Sequence, residues 1–357
     1  MEDEYLIKDV RDENDLKKIT FSGYKPSAVK KELFNSLKKN NIEISCYWTA
    51  EMVVSGLYVE LWDIILLFLG KSIHTSNPFL ATYINIKFKE FKKLAEISFC
   101  KDAINMRNSD KIRKIFSEIS IILSLSKKGH EISIIKIEEY EYNILEFRNK
   151  LTADKNTYSE NLILTDDPQE ISIPLNELIY NINNNDLQKA CYWAQWIIIY
   201  PVICKKKGLT CLGHKRFQHL IEEKYNKELV WLVWDTLIKL SEKKSKLENN
   251  IILNLFDLFK IRYRPIENKK RIYLIYLSIE IMGLNLQSFT PIVFDKNKVL
   301  EINKQYNIVY KQIIKNNLNA LDTSLFLNSK NNKKIKVNEK LKAWNNLDNK
   351  IMKGDNN

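Results

Sequence analysis

Apolar residues recur along this chain with the spacing of helices rather than strands. After a charged lead-in (residues 1–22), Gly23-Tyr24-Lys25-Pro26 opens a first segment in which Val29, Leu33 and Leu37 fall every four residues on one face. Pro26 suits a first helical turn, where its missing N–H costs nothing. A second helix carries Tyr47, Trp48, Met52 and Val53 and should stop near Ser55-Gly56, because glycine is the usual residue just past a helix end. A third carries Leu61, Trp62, Ile65, Phe68 and Leu69 and is broken by Asn77-Pro78. A long amphipathic helix is predicted from Phe79 to Phe99, with Lys87, Lys89, Lys92 and Lys93 on its wet side. Residues 110–150 read as mostly helical, with Ile132 to Ile137 open to a strand reading as well. Residues 152–172 have no apolar period and read as a linker. Ser172 and Pro174 then start another helical series, in which Leu229 to Leu237 is apolar almost all round and so marks a buried helix. Two more helices follow over 251–290, broken at Arg264-Pro265. From Asn328 the chain is rich in Lys and Asn, with one amphipathic scrap around Leu341, Trp344 and Leu347, and reads as a flexible basic tail.

These series repeat. Cys46-Tyr47-Trp48 recurs as Cys191-Tyr192-Trp193, and in that register Leu33, Leu37 and Ile42 fall on Leu178, Ile182 and Leu187. The polar run Lys38-Lys39-Asn40-Asn41 falls on Asn183-Asn184-Asn185-Asp186. Leu61-Trp62-Asp63 is echoed by Val233-Trp234-Asp235, 27 residues later than the register requires. The pattern reads as an internal duplication: one helical subdomain over 23–151, a second over 173–327, and an insertion (201–227) in the second. Trp48, Trp62, Trp193 and Trp234 are expected at equivalent helix–helix contacts, where large rings anchor packing. Eight Gly and seven Pro in 357 residues also favour helices, since β and α/β folds use glycine freely at turns and ligand loops. The expected fold is all-α.

Charge adds a partner class. The net charge is +12, from 48 Lys and eight Arg set against 44 Asp and Glu. Lys, Asn and Ile come from A/T-rich codons, and Arg, which forks onto phosphate and guanine, is not enriched. A solvated Lys-rich surface therefore stands beside nucleic-acid binding. Lys205, Lys206, Lys207, Lys215 and Arg216 cluster within the insertion, where contact with phosphate is the functional reading and a solvated loop the bland one. The same stretch holds Cys204, Cys211, His214 and His219, spaced C-x6-C-x2-H-x4-H. Two Cys and two His can close a tetrahedral zinc site, although this spacing matches no common finger. Zinc is the one cofactor in view.

Other chemistry recedes. Gly70-Lys71-Ser72 fails as a phosphate loop, because the required earlier glycine is Ile65 inside an apolar helix. Asp166-Asp167 sit before Pro168 in the linker, where a turn or capping role is expected rather than acid–base work. His74 and His130 have no Cys or carboxylate at useful spacing, and no catalytic triad or dyad can be assembled. Five Cys without a secretory signal, and an acidic N-terminus, point to a reducing compartment. The apolar stretches Ile64 to Leu69 and Trp196 to Cys204 are too short to span a bilayer.

The words Gly23-Tyr24-Lys25, Tyr47-Trp48-Thr49-Ala50-Glu51, Ser55-Gly56, Leu61-Trp62-Asp63 and Asn77-Pro78 resemble a family of uncharacterised proteins of large DNA viruses. Asp166-Asp167-Pro168, Ile173-Pro174-Leu175-Asn176-Glu177-Leu178 and Ala190-Cys191-Tyr192-Trp193 extend the resemblance over roughly 20–290. It implies an origin and no mechanism. Residues 42–80 are also similar to the helical collar of clamp-loader-like proteins, here without the ATPase module. The expectation is a non-enzymatic viral accessory factor that binds other viral proteins, and DNA or RNA, in replication or transcription. It would act in the host cytoplasm, at the viral factory, or in the virion, with no membrane and no small-molecule substrate. A structural or packaged virion component is the first alternative, and an enzyme of unfamiliar type the second.

Overall fold

Asp12 accepts a hydrogen bond from the Asp15 backbone N–H and so starts the first helix of an all-α protein, described here from a computed structural model. The structure describes residues 5–9, 11–98, 105–286, 291–293 and 295–324, and among these there is no strand. The helices run α1 (Glu13–Lys18), α2 (Pro26–Lys38), α3 (Ile42–Val54), α4 (Tyr58–Phe68), α5 (Leu80–Ser98), α6 (Asp110–Leu125) and α7 (Ile144–Phe147). They continue as α8 (Ser172–Asn183), α9 (Leu187–Lys206), α10 (Val230–Ser241), α11 (Lys246–Phe259), α12 (Asn268–Ile281), α13 (Lys296–Lys304) and α14 (Tyr306–Ser324). Residues 1–313 make one compact unit and residues 314–357 another, of which the end of α14 is described. The Lys/Asn tail from Asn328, with Leu341, Trp344 and Leu347, lies outside the described residues.

In the first unit, α2 packs against α3, α3 against α6, and α5 against α6; further on, α8 packs against α9, α10 against α11, and α9 and α11 against α12. Contacts of α5 with α11 and of α4 with α12 join the two series. The turns obey the sequence closely. Pro26 opens α2, and α3 ends where Gly56 takes a left-handed φ of +70° and Leu57 N–H reaches back to the Met52 carbonyl (2.9 Å). The first turns of helix α10 are buried on every side, with Trp231, Leu232, Val233 and Trp234 each 0 % exposed, while Lys239 near its end reaches solvent.

Gly70-Lys71-Ser72 proves to be a packing device. Helix α4 passes into a π-helical turn over Leu69–Ile73, and a Cβ on Gly70 would lie 2.8 Å from the Tyr273 Cβ of α12. Glycine is what lets α12 cross there. Where helix was expected over most of 110–150, residues 127–138 run without helix or strand. Backbone N–H groups of Gly129 and Ile132 donate to the Ser72 and Lys71 carbonyls (2.8 and 3.1 Å), and Gln195 of α9 donates to the Ile135 carbonyl. The segment is held from outside, so it needs no internal hydrogen bonds of its own.

The segment over 152–172 is likewise tied down. Thr152 and Ala153 donate backbone N–H to the buried Glu177 carboxylate of α8 at 2.9–3.0 Å, and Tyr158 N–H donates to Asn176 Oδ1 at 2.9 Å. The lead-in is anchored too. Ile7 and Phe21 are buried, and Arg113 donates to the Tyr5 carbonyl at 3.0 Å.

Candidate interaction surface

The insertion begins inside a helix. Helix α9 continues through Pro201, which lacks the N–H for one helical bond, and ends with Lys205 and Lys206 in its last turn. Gly208 takes a φ of +74°, Gly208 N–H donates to the Lys205 carbonyl (3.1 Å) and Leu209 N–H to the Cys204 carbonyl (2.9 Å). This is a helix end of the glycine-terminated kind, and cations there favour the helix dipole. The chain then folds back on itself. Gly213 N–H donates to the Lys227 carbonyl (2.8 Å) and Arg216 N–H to the Asn226 carbonyl (3.2 Å), while Phe217 packs at a tilt against Phe256 with centroids 4.6 Å apart.

The five cations of the insertion do not form one cluster. Arg216 is turned inward, its side chain 5 % exposed, and donates from Nη1 to Asp167 Oδ1 (2.8 Å) and from Nη2 to Asp167 Oδ2 (2.6 Å). Its Nε lies 3.3 Å from Asp235 Oδ2, and Nη2 also donates to the Leu162 carbonyl (3.2 Å). All of its polar edge is thus used within the protein. The expectation that Arg216 contacts phosphate is corrected, because its charge is committed to a buried partner 49 residues earlier. Burial pushes the Asp167 carboxyl up, but Arg216 and the backbone N–H groups of Leu164 and His214 outweigh this and hold it below the usual range. Gly213 permits the approach, since a Cβ there would meet Asp167 Oδ1 at 2.9 Å. Asp166-Asp167 therefore serves structure, and Asp167 does so both as the expected turn residue, accepting Leu164 N–H at 2.9 Å, and as half of a buried pair.

Lys205, Lys206, Lys207 and Lys215 remain exposed. Lys206 pairs with Glu139 (2.7 Å) and Lys215 reaches Glu223 at 3.5 Å. The lysine beside Glu139 holds that carboxyl below its ordinary range, with Lys207 adding to the field.

The four zinc-type residues do not converge either. The Cys211 thiol lies against the Cys204 thiol, while His214 sets Nδ1 3.4 Å from Asp166 Oδ2 and His219 is exposed. Burial, with Cys204 beside it, pushes the Cys211 thiol up to about 12. Among the described residues no group of three or more His, Cys, Asp or Glu is placed to hold a metal ion. The Cys204, Cys211, His214 and His219 site is thus corrected to a thiol pair with two histidines apart. His74, also singled out by the sequence, is buried, and burial holds its imidazole down at about 4.

The four tryptophans lie on α3, α4, α9 and α10, and all are buried. Trp48 meets Tyr47 edge-on at 5.1 Å, and Trp193 meets Tyr192 in the same way at 5.1 Å. Trp62 packs on Phe88 and Phe91 (5.0 and 5.7 Å), and Trp234 on Phe256 and Phe259 (5.5 and 5.2 Å). They act as core anchors.

The feature missed in the sequence is apolar. Val202, Leu209, Leu212 and Leu220 stand 56, 61, 47 and 56 % exposed, so among the described residues four of the sixteen exposed large hydrophobics fall within this 27-residue insertion. That concentration, beside Lys205–Lys207, makes the insertion a surface of mixed apolar and basic character. The signal was on view: leucines in a loop that no repeat register requires. Among the described residues no helix is long and apolar enough to cross a membrane. No protein-family model, curated protein or solved structure matches this chain.

Proposed function

We propose that this chain is a non-enzymatic accessory factor of a large DNA virus, docking another protein of a replication or transcription assembly through residues 201–227. One observation carries the docking reading. Val202, Leu209, Leu212 and Leu220 are exposed on an insertion whose base is fixed by the buried Arg216–Asp167 pair. Exposed apolar side chains on an anchored loop lose little entropy when a partner covers them. With Lys205, Lys206 and Lys207 alongside, the complementary partner offers an apolar surface with an acidic rim. The viral origin is supported by the word-level resemblance and the Lys/Asn/Ile-rich composition.

Affinity capture from infected cells tests this, comparing wild type with a V202S/L209S/L212S/L220S variant. The expected result is a set of viral proteins held by the wild type and lost by the variant, with helical content unchanged in circular dichroism. Equal capture by both overturns the docking reading. Nucleic-acid binding through the exposed lysines is tested on a random duplex across a salt series. Were the four lysines its contacts, replacing them by Ala would lower the salt slope by up to about 3.6. A constant copy number per purified particle would instead identify a virion component.

A further inference from the structure

A cleft of about 860 Å³ opens in the first unit between the α4–α5 side and the stretch from Ile261 to Arg271. Tyr58 and Trp62 line it from α4, and their i, i+4 spacing puts them on one face of that helix. Phe88 and Phe91 continue the aromatic wall, with Trp62 edge-on to Phe88 at 5.0 Å. Tyr58 and Trp62 are each 4 % exposed and Arg271 is 5 % exposed. The Tyr58 hydroxyl, the Trp62 indole N–H and the Arg271 Nε–H all lack a hydrogen-bond partner. Buried polar atoms are nearly always paired, so three unmatched donors on residues lining one cleft require an explanation. They are complementary to oxygen or nitrogen acceptors.

The rim supplies the second half of the argument. Lys17, Lys92, Lys224 and Arg264 line the cleft, and each already faces a carboxylate, at 2.6, 3.6, 2.9 and 2.8 Å respectively. Arg262 also lines it, is exposed, and has no acidic partner among the described residues. Its φ of +45° is a left-handed conformation that a non-glycine residue adopts at a cost, and such strain gathers at ligand sites. An aromatic wall, buried donors and one uncommitted cation at the lip match a flat ring with acceptor edges and a single oxyanion. We propose that the cleft binds a nucleoside monophosphate, with the base against Tyr58 and Trp62 and the phosphate at Arg262. This site is separate from the docking surface and does not rest on that reading.

The test is calorimetric titration of the full chain with UMP, AMP, uridine and inorganic phosphate as probes. At least one nucleotide should bind saturably below about 1 mM, more tightly than phosphate or uridine. Arg262→Ala should weaken that binding by about tenfold or more, and Tyr58→Phe by several-fold, since a bond to a charged group outweighs a neutral one. Arg262 is exposed and Tyr58→Phe conserves the ring, so both variants are expected to fold, as circular dichroism would verify. The V202S/L209S/L212S/L220S variant should bind nucleotide like wild type. The proposal is overturned if neither nucleotide binds below about 1 mM, if phosphate alone binds as tightly, or if both cleft variants bind like wild type.

Discussion

The turn between α2 and α3 and the turn between α8 and α9 are built alike, bond for bond. Asn40 and Asn185 both take a φ of +59°. Asn41 N–H donates to the Ser36 carbonyl (3.1 Å) as Asp186 N–H does to the Asn181 carbonyl (2.9 Å). Asn41 and Asp186 then cap the following helix by accepting from the backbone N–H of Ile44 and Lys189. Each hairpin also clamps the chain that enters it with a buried glutamate: Glu51 accepts from Ser22 N–H (2.8 Å), and Glu177 from Thr152 and Ala153. The clamps sit at different places, Glu51 on α3 and Glu177 on α8. After the turns the two diverge, since α3 stops after 13 residues at Gly56 while α9 runs for 20 and leads into the insertion. The lesson is that shared local polar words give shared turns, whereas the two hairpins differ where the residues that follow meet long-range partners.

The largest test of that contrast is Arg216→Ala. It strands the Asp167 carboxylate inside the protein and should cost about 3–5 kcal/mol in denaturant unfolding. Single Lys205, Lys206 or Lys207→Ala changes should stay within about 0.5 kcal/mol. If Arg216→Ala behaved like the lysine variants, the division of the basic cluster into anchor and surface would fail.

A middle-sized effect is expected at the two turns. Asn40→Ala and Asn185→Ala should each cost about 1–2 kcal/mol, because a β-carbon without a local hydrogen-bonding group is strained at positive φ. The matching glycine variants should be near neutral. Similar losses at both positions sharpen the equivalence of the turns. A loss at one position alone breaks it.

The smallest effect is a slope with pH. Burial raises the Glu51 carboxyl above the 4.5 of a free side chain, against the opposing bonds from Ser22. The folded state therefore holds that proton more tightly, so its contribution falls as pH rises from 4.5 through the raised value. Asp167 runs the other way: its folded value lies below 3.8, and its stabilisation is lost as pH falls through that region. Stability profiles of Glu51→Gln and wild type should differ in slope above pH 4.5, and coincident profiles would contradict the assignment.

Helix ends marked by local chemistry were legible in the sequence. Pro26, Gly56 and Ser172 fall where the helices begin or end, and the all-round apolar run of α10 is as buried as its pattern requires. What was not legible depended on distant partners. Nothing in Lys215-Arg216 distinguishes the second cation from the first, and only the fold brings Asp167 to it. Residues 127–138 read as helical because isoleucines in a short run fit either period. Their course outside any helix is held by Lys71, Ser72 and Gln195, which lie far away in the chain. The cleft was invisible for the same reason, being assembled from α4, α5 and residues some 200 positions later.

Gly70 sets a timetable for synthesis. Tyr273, which its bare α-carbon admits, lies 273 − 70 = 203 residues further along the chain. A ribosome adding about 5–20 residues per second needs roughly 10–40 s to make that stretch. For that interval the end of α4, with the buried Phe68 and Leu69, has no α12 to lie beneath. Until α12 emerges, the nascent first half relies on its own lead-in or on a chaperone to cover that surface.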